Sequence, residues 1–404
     1  MSLSRRSLLT ASALALAGSR VSWSAAGATA AGATAAGATA ASGAATAAAA
    51  SSTTGAAGAA AADATGKAGP IILCWNENPY GPSPAARAVL SQAIPAACRY
   101  PDDEVDALVK LLSQKEGLSA DHIVTGTGSG ELLRALGLMC GRESGELITA
   151  DPTYLELPDY ASRVGATVKT VAVDKALRHD LNAMHAAVTD RTRAIYICNP
   201  NNPTGTVVGA SAIASFVNAL PDHVTTIVDE AYMDFAGGQD VRSVASLTSG
   251  SKRVVVLRTF SKIHGMAGVR CGYAIARPDV AKQLADMRMT SPNVFAVRAA
   301  RASLGDHAFL TDTRRRIVSS RTRITTELAQ LGMAYAEPQG NFVFFDTGKP
   351  LAQFTEFMRK RNILVGRRFP PFENWCRITI GTEPEVDAFL QGLRAFAGAR
   401  SSAA

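Results

Sequence analysis

From residue 71 onward, short apolar runs recur along the chain, separated by stretches whose apolar positions follow a helical spacing. The runs cover 71–75, 194–198, 254–257 and the residues leading into Asp229, and 146–149 is read as a further strand. Four or five apolar residues are too few for a helix and suit a buried strand. Val168, Val171 and Val173 form a β-branched cluster that predicts another strand. Helices are predicted over 131–139 and 212–220. Such alternation predicts a mostly parallel sheet covered by helices on both sides. Near Arg298 the pattern changes. One long Arg-rich amphipathic helix is predicted from there towards Leu331, then a strand over 341–345, a helix over 353–361 and a last strand over 377–381. The expectation is an α/β chain. It has a large domain over 100–297, a smaller α+β domain over 298–404, and an arm over 70–99 that joins the small one.

Composition adds little to that picture and removes some alternatives. Charged residues are 19% of the 404 and hydrophobic ones 47%, the balance of a globular chain with room for a large core. The net charge of +7 is not concentrated on the fold. Arg5, Arg6, Arg20 and Lys67 against Asp63 put +3 of it in residues 1–69. The cluster of Arg314, Arg315, Arg316, Arg321 and Arg323 has no interleaved aromatic residues for stacking bases. It reads as a solvated helix face, and no nucleic acid partner is expected. The six cysteines, Cys74, Cys98, Cys140, Cys198, Cys271 and Cys376, form no C-x-x-C pair and no cluster with metal spacing. No structural metal is expected, and the cysteines in apolar strands read as free thiols packing as small hydrophobes.

The first residues follow a separate logic. Ser4-Arg5-Arg6-Ser7-Leu8-Leu9 opens a short apolar run to Ala17, well short of the roughly 20 residues that cross a bilayer. Residues 1–25 resemble a twin-arginine export signal, an address read by a receptor, so a periplasmic location without stable membrane anchoring is expected. The pentamer AGATA then repeats three times over 26–40, and Ala, Gly, Ser and Thr dominate as far as Lys67. Such side chains cannot bury enough surface to offset chain entropy, so 26–69 is expected to be a disordered linker.

Candidate chemistry gathers in 253–273, RVVVLRTFSKIHGMAGVRCGY. A lysine, Lys262, follows a buried strand among Thr259, Ser261 and Arg270, with Gly265, Gly268 and Gly272 loosening the backbone. That placement suits imine chemistry on a phosphorylated cofactor. IVDEAYMDF puts Asp229 and Tyr232 at the end of a second strand, and NPNNPTG (199–205) follows a third. TGTGSGELLRAL places Gly126, Gly128 and Gly130 before a helix, whose N–H groups and dipole can hold a phosphate. A dinucleotide-binding turn uses the same physics, so an oxidoreductase is the competing reading. Its fingerprint wants the third glycine further along, where Glu131 or Leu133 stands, and it leaves Lys262, Asp229 and Asn202 without roles.

In this order, the four motifs resemble the fold-type I pyridoxal-phosphate aminotransferases (class I/II), most closely the histidinol-phosphate aminotransferase-like branch, over roughly 71–393. The resemblance implies pyridoxal 5'-phosphate as cofactor and a homodimer. Lys262 would hold the cofactor as an internal imine and then act as general acid and base. Asp229 would pair with the ring nitrogen, with Asn202 and Tyr232 on the ring's phenolate oxygen and Tyr154 stacked on its face. Ser129, the Gly130 backbone, Thr259, Ser261 and Arg270 would grip the phosphate, joined by Tyr100 from the neighbouring subunit. Lys262, Asp229 and Tyr232 are the implied catalytic residues. On the substrate side stand Asn76 in the arm segment NENPYGPS, Arg377 on the α-carboxylate and Arg367 or Arg368 near the side chain. His264 is given only a packing role.

The implied activity is exchange of an amino group between an amino acid and a 2-oxo acid. Histidinol-phosphate aminotransfer proper and amino-acid decarboxylation are the alternatives, because fold and cofactor do not fix the bond broken. The branch carries V-R directly before a short loop, whereas this chain has Val365-Gly366-Arg367. A one-residue shift on a strand turns a side chain to the other face, although a bulge at Gly366 would turn it back. The amino donor is therefore not expected to be restricted to histidinol phosphate.

Overall fold

The computed structural model describes residues 69–142 and 144–401. The expected signal (1–25) and all but the last residue of the expected linker (26–69) lie outside the described residues. The chain opens with β1 (Ile71–Leu73), α1 (Pro84–Gln92), α2 (Asp102–Glu116), β2 (Ile123–Gly126) and α3 (Ser129–Arg142). It continues through β3 (Glu146–Asp151), α4 (Glu156–Arg163), β4 (Thr167–Ala172), α5 (Leu181–Ala186) and β5 (Thr192–Cys198). Next come α6 (Ala210–Ala219), β6 (Thr225–Asp229), β7 (Arg253–Thr259), β8 (Gly272–Ala276) and α7 (Pro278–Met287). The last third holds α8 (Val294–Gly305), α9 (His307–Gln330), β9 (Phe342–Asp346), α10 (Leu351–Arg359), β10 (Ile363–Val365), β11 (Trp375–Thr379) and α11 (Glu383–Ser401).

Local chemistry sets many of these ends. Asp102, Asp103 and Glu104 fill the first turn of α2, where acids complement the helix dipole, and Gly117 closes it at φ 68°. Asp180, Asn293 and Asp306 each cap a helix by accepting a backbone N–H two or three residues inside it.

Among the described residues, seven strands form the main sheet in the order β2-β8-β7-β6-β5-β3-β4. All pairs are parallel except those of β8, which runs against both neighbours. Strands covered on both faces read as near-continuous apolar runs, and β6 and β8 are buried at every position. Register places Cys198 opposite Asp229, and Asp229 opposite Leu257. The carboxyl ends of β5, β6 and β7 therefore open side by side, the usual place for a ligand in such sheets.

The second lobe is built on the antiparallel pair β9–β11 and the parallel pair β1–β10. Phe342, Phe345, Phe354 and Phe389 are all fully buried in its core, each contributing about 2–3 kcal/mol. Tyr232 and Ile263 belong to the same cluster, so the lobe packs directly on the loops that follow β6 and β7. The arm runs between the lobes. β1 pairs with the small lobe through β10, and Asn78 Nδ2 donates to the Ile263 carbonyl at 2.8 Å. Gly265 sits at φ 68°, where a β-carbon would collide with the Gly81 carbonyl; only glycine lets the arm lie this close to the lysine loop.

Three expectations are corrected here. The single helix from Arg298 towards Leu331 is two helices, broken where Gly305 weakens the first and Asp306 caps the second. The expected boundary at 298 falls inside α8, whose Ala296, Val297, Ala299 and Ala300 pack in the core of the large lobe, and α9 begins the small one. The arginine cluster is not wholly a solvated face. Arg314 donates to the Asp234 and Ala236 carbonyls, and Arg321 to those of Phe235 and Gly340, clamping the loop after Tyr232. Burial pulls the Arg321 guanidinium down to about 10. None of the six cysteines forms a disulfide, and four are buried. No helix among the described residues is long and apolar enough to cross a membrane.

Candidate functional site

Lys262 follows β7 by three residues, in a turn beneath the arm. Its Nζ donates to the Asn76 carbonyl at 3.0 Å and reaches the Trp75 carbonyl at 3.5 Å. It also lies 5.4 Å from the centre of the Tyr232 ring. Burial, reinforced by Arg377, pulls the amine down to about 8, within reach of the neutral form that proton transfer needs.

Asp229 ends β6, 2% exposed. Its Oδ1 accepts the Ala231 N–H at 3.1 Å, and its Oδ2 accepts the Tyr196 hydroxyl at 3.1 Å. Burial raises the carboxyl from its ordinary 3.8 to about 6. Two hydrogen bonds thus fail to offset desolvation, and a cation set against Asp229 would be strongly favoured. In the sequence Tyr196 is part of an apolar run. It lies two residues from Cys198, the partner of Asp229, so strand alternation puts its side chain on the same face.

The Tyr232 hydroxyl accepts from Asn76 Nδ2 at 3.2 Å and Asn202 Nδ2 at 3.3 Å. With both acceptor positions filled, its own proton is free to point into the cleft. Phe342 packs edge-on against the ring, 4.9 Å between centroids. Arg377, on β11, is buried and donates to Asn202 Oδ1 at 2.6 Å and the Cys74 carbonyl at 2.7 Å. Among the described residues its Nε has no partner, and the Phe342 and Phe369 rings lie 5.8 and 5.1 Å from its guanidinium. An apolar seat with the Nε donor unfilled suits an incoming carboxylate.

Ser129 is the first residue of α3, at the positive end of its dipole. Arg270 holds a left-handed backbone at φ 69°, and its Nη1 reaches Ser261 Oγ at 3.4 Å and the Ala267 carbonyl at 2.9 Å. Gly128 is at φ 75°, and a β-carbon there would occupy the place of the Arg270 guanidinium. Gly130 leaves the same side open. Thr259 Oγ1 accepts the Ser261 N–H at 3.1 Å, which fixes the loop. Strained backbone that aims an arginine at a helix start fits a phosphate. Tyr154 is 37% exposed at the mouth, with burial pushing its hydroxyl up to about 12.

Apart from Tyr100, the residues expected around pyridoxal phosphate are thus brought together: a buried amine, a carboxylate whose burial its partners do not offset, and an anion cradle. That set fits the group. Tyr100 stands apart, 95% exposed ahead of α2. The expected pairing of Asn76 with substrate meets a fully committed side chain, bonded to Tyr232 and Thr379 and 1% exposed. Of the two candidate arginines, Arg368 pairs with Glu373 at 3.2 Å. Arg367 lies over Phe369, 4.5 Å from its centroid, and lines a cavity of about 490 Å³ with Tyr154, Arg134 and Arg163. Gly366 donates its N–H to the Arg377 carbonyl. His264 is buried, its Nδ1 2.7 Å from Ser303 Oγ and its ring tilted on Phe260, a packing role. Sequence reasoning also missed Asn341, whose Nδ2 donates to the Asn76 and Glu77 carbonyls, and Thr379.

Residues 68–393 match the sequence model of the aminotransferase class I and II family. The chain is 35% identical to the histidinol-phosphate aminotransferase of Moorella thermoacetica, over 80% of this chain and 84% of the relative. It is 37% identical to the aromatic amino acid aminotransferase of Mycobacterium sp. (strain KMS), over 82% and 93%. The solved structure of the Sinorhizobium meliloti histidinol-phosphate aminotransferase in complex with pyridoxal-5'-phosphate superposes with a TM-score of 0.75. The two are 28% identical, over 83% of this chain and 92% of that one.

The raised Asp229 carboxyl has a stability consequence. A group whose folded value exceeds its ordinary one favours folding only while protonated, so stability falls as pH rises from about 4 to about 6 and stays lower above. In protein stripped of cofactor, Asp229→Asn is expected to raise unfolding stability by about 2–3 kcal/mol at pH 8. The gain shrinks towards zero as pH falls to about 4. Denaturant unfolding at several pH values checks this, and no gain at pH 8 contradicts it.

Proposed function

This chain belongs to the class I and II aminotransferases, a pyridoxal-phosphate-dependent enzyme of that family, and on that premise we propose that Lys262, Asp229 and Tyr232 do its chemistry. The observation that carries the assignment is the burial of the Lys262 amine and the Asp229 carboxylate in one cleft, each far from its ordinary proton affinity. When bound, pyridoxal phosphate supplies an electron sink for charge developing at the substrate's α-carbon. Asp229 would hold the ring nitrogen positive. The Lys262 amine would tether the cofactor and, when free, would hold and move the proton at the α-carbon. Tyr232 and Asn202 would hydrogen-bond the ring oxygen, with Tyr154 against the ring. Ser129, Gly130, Thr259, Ser261 and Arg270 would hold the phosphate.

Arg377 orients the amino acid by its α-carboxylate, with Asn202 and the apolar seat of Phe342 and Phe369 fixing the guanidinium plane. Arg367, across Phe369, faces the substrate side chain and sets donor preference. The relatives are named for two different donors, histidinol phosphate and aromatic amino acids, and both fit a cavity with cationic and aromatic walls. Aminotransferases of this class are typically dimeric. The exposed Tyr100 is proposed to reach the phosphate of the neighbouring subunit. Residues 1–25 are proposed to direct export of the folded enzyme to the periplasm, on the strength of the Arg5-Arg6 pair.

Amino transfer and carbon dioxide release, followed together over a panel of acidic, aromatic and basic donors and histidinol phosphate, test the reading. The parent transfers amino groups without net carbon dioxide. Lys262→Ala keeps bound cofactor and loses turnover by orders of magnitude. Arg377→Ala loses activity with every donor, by roughly the two to three orders expected of a bidentate contact. Arg367→Ala changes only the order of donors. Strict preference for histidinol phosphate, abolished by Arg367→Ala, contradicts the open-donor reading. Export is checked by fractionating cells that carry Arg5→Lys with Arg6→Lys: the folded enzyme stays in the cytoplasm, and unchanged export refutes the signal.

A further inference from the structure

Asn76 bonds to both lobes and to the lysine: to Tyr232, to Thr379 and to Lys262. Its N–H donates to Thr379 Oγ1 at 2.8 Å, and Thr379 Oγ1 returns a bond to Asn76 Oδ1 at 3.3 Å. Its carbonyl accepts from Lys262 Nζ at 3.0 Å and from Asn341 Nδ2 at 3.1 Å, so both lone pairs are used. The residue is 1% exposed, and its backbone is left-handed, φ 54°. Asparagine tolerates that conformation better than most side chains, and glycine adopts it freely. A left-handed residue turns its carbonyl out of line with its neighbours. Here that turn presents the carbonyl to Lys262, while Thr379 and Asn341 brace it from the small lobe.

We propose that Asn76 is the positioning residue for the free Lys262 amine, acting through its main-chain carbonyl rather than its side chain. The inference rests on the assignment of Lys262 as the cofactor-bearing lysine. The released amine has a long flexible stem, and proton transfer needs its lone pair aimed at the reacting carbon. Donating N–H to the Asn76 carbonyl, with the Trp75 carbonyl 3.5 Å away, turns the lone pair from the arm towards the cleft. Asn341 keeps the carbonyl in place when the lysine leaves it. The side-chain amide then serves as a brace to Tyr232 and Thr379, not as a substrate contact.

The backbone origin of the effect gives it a distinctive signature. Asn76→Gly deletes the amide and keeps the left-handed conformation; Asn76→Ala deletes the amide and strains that conformation. The full chain is stripped of cofactor, resupplied with pyridoxal phosphate and followed by growth of yellow colour. Borohydride then fixes the cofactor for peptide mapping. Asn76→Gly is expected to capture cofactor within about threefold of the parent rate, and Asn76→Ala roughly tenfold more slowly or worse. Asn76→Asp, which also tolerates the left-handed region, follows Gly and decides the matter if the Ala variant does not fold. Gly and Asp variants slowed more than about tenfold, with cofactor still mapped to Lys262, overturn this inference alone. Cofactor mapped to another lysine overturns the assignment of Lys262 and the inference with it.

Discussion

A buried ion pair fixes the spacing on which the cleft depends. Arg258, on β7, lies 3.3 Å from Glu230 and 3.7 Å from Asp234, its own side chain nearly covered and that of Glu230 wholly so. Burial works against the Arg258 charge, and Glu230 with Asp234 more than offsets it. Glu230 is the residue after Asp229, and Arg258 stands four before Lys262. Glu230 also accepts the Val244 N–H and donates its own to the Leu257 carbonyl. Such a pair adds little net stability against an apolar replacement, because desolvating two charges offsets most of their attraction. Its effect is directional. It leaves one way for the loop after β6 to sit on the end of β7, and so fixes the Asp229 carboxylate relative to the Lys262 amine.

Around that frame, each functional group is held in a state it would not choose in water. The Asp229 carboxyl is raised, the Lys262 amine lowered, the Arg377 Nε left without a partner and the Arg270 backbone turned left-handed. Each is a local cost of order 1–3 kcal/mol that the two apolar cores must carry. A cation set against Asp229 and a carboxylate against Arg377 would relieve two of these costs. The small lobe contributes through packing and hydrogen bonds, since Phe342 seats Tyr232 and Asn341 braces the arm.

The sheet was legible because strands buried on both faces are largely apolar, and those near 194–198 and 254–257 announce themselves. So was the placement of Lys262, Asp229 and Arg270, charged residues that follow apolar runs. What was not legible depends on partners distant in sequence. The reversed direction of β8 is set by pairing, not by composition. Arg314 and Arg321 looked solvated because their acceptors are carbonyls at 234–236 and 340, which carry no side-chain signal. Tyr196 passed for a core aromatic because its hydroxyl meets Asp229 only across the sheet. The break at Asp306 did have a local sign, Gly305 followed by a capping Asp, which the amphipathic pattern on either side masked. Asn76 was picked out for substrate, but its left-handed backbone, invisible in sequence, commits it to the lysine instead.

The directional role of the buried pair is tested most directly by a double-mutant cycle on Arg258→Met and Glu230→Gln. Unfolding free energy and pyridoxal-phosphate affinity are measured for the parent, both single variants and the double. Each single variant is expected to lose about 3 kcal/mol of stability by stranding a buried polar partner, and the double to recover a good part of it. Cofactor affinity is predicted to stay low in the double variant, because stability returns without the constraint on Asp229 and Lys262. Affinity that recovers in step with stability would contradict it.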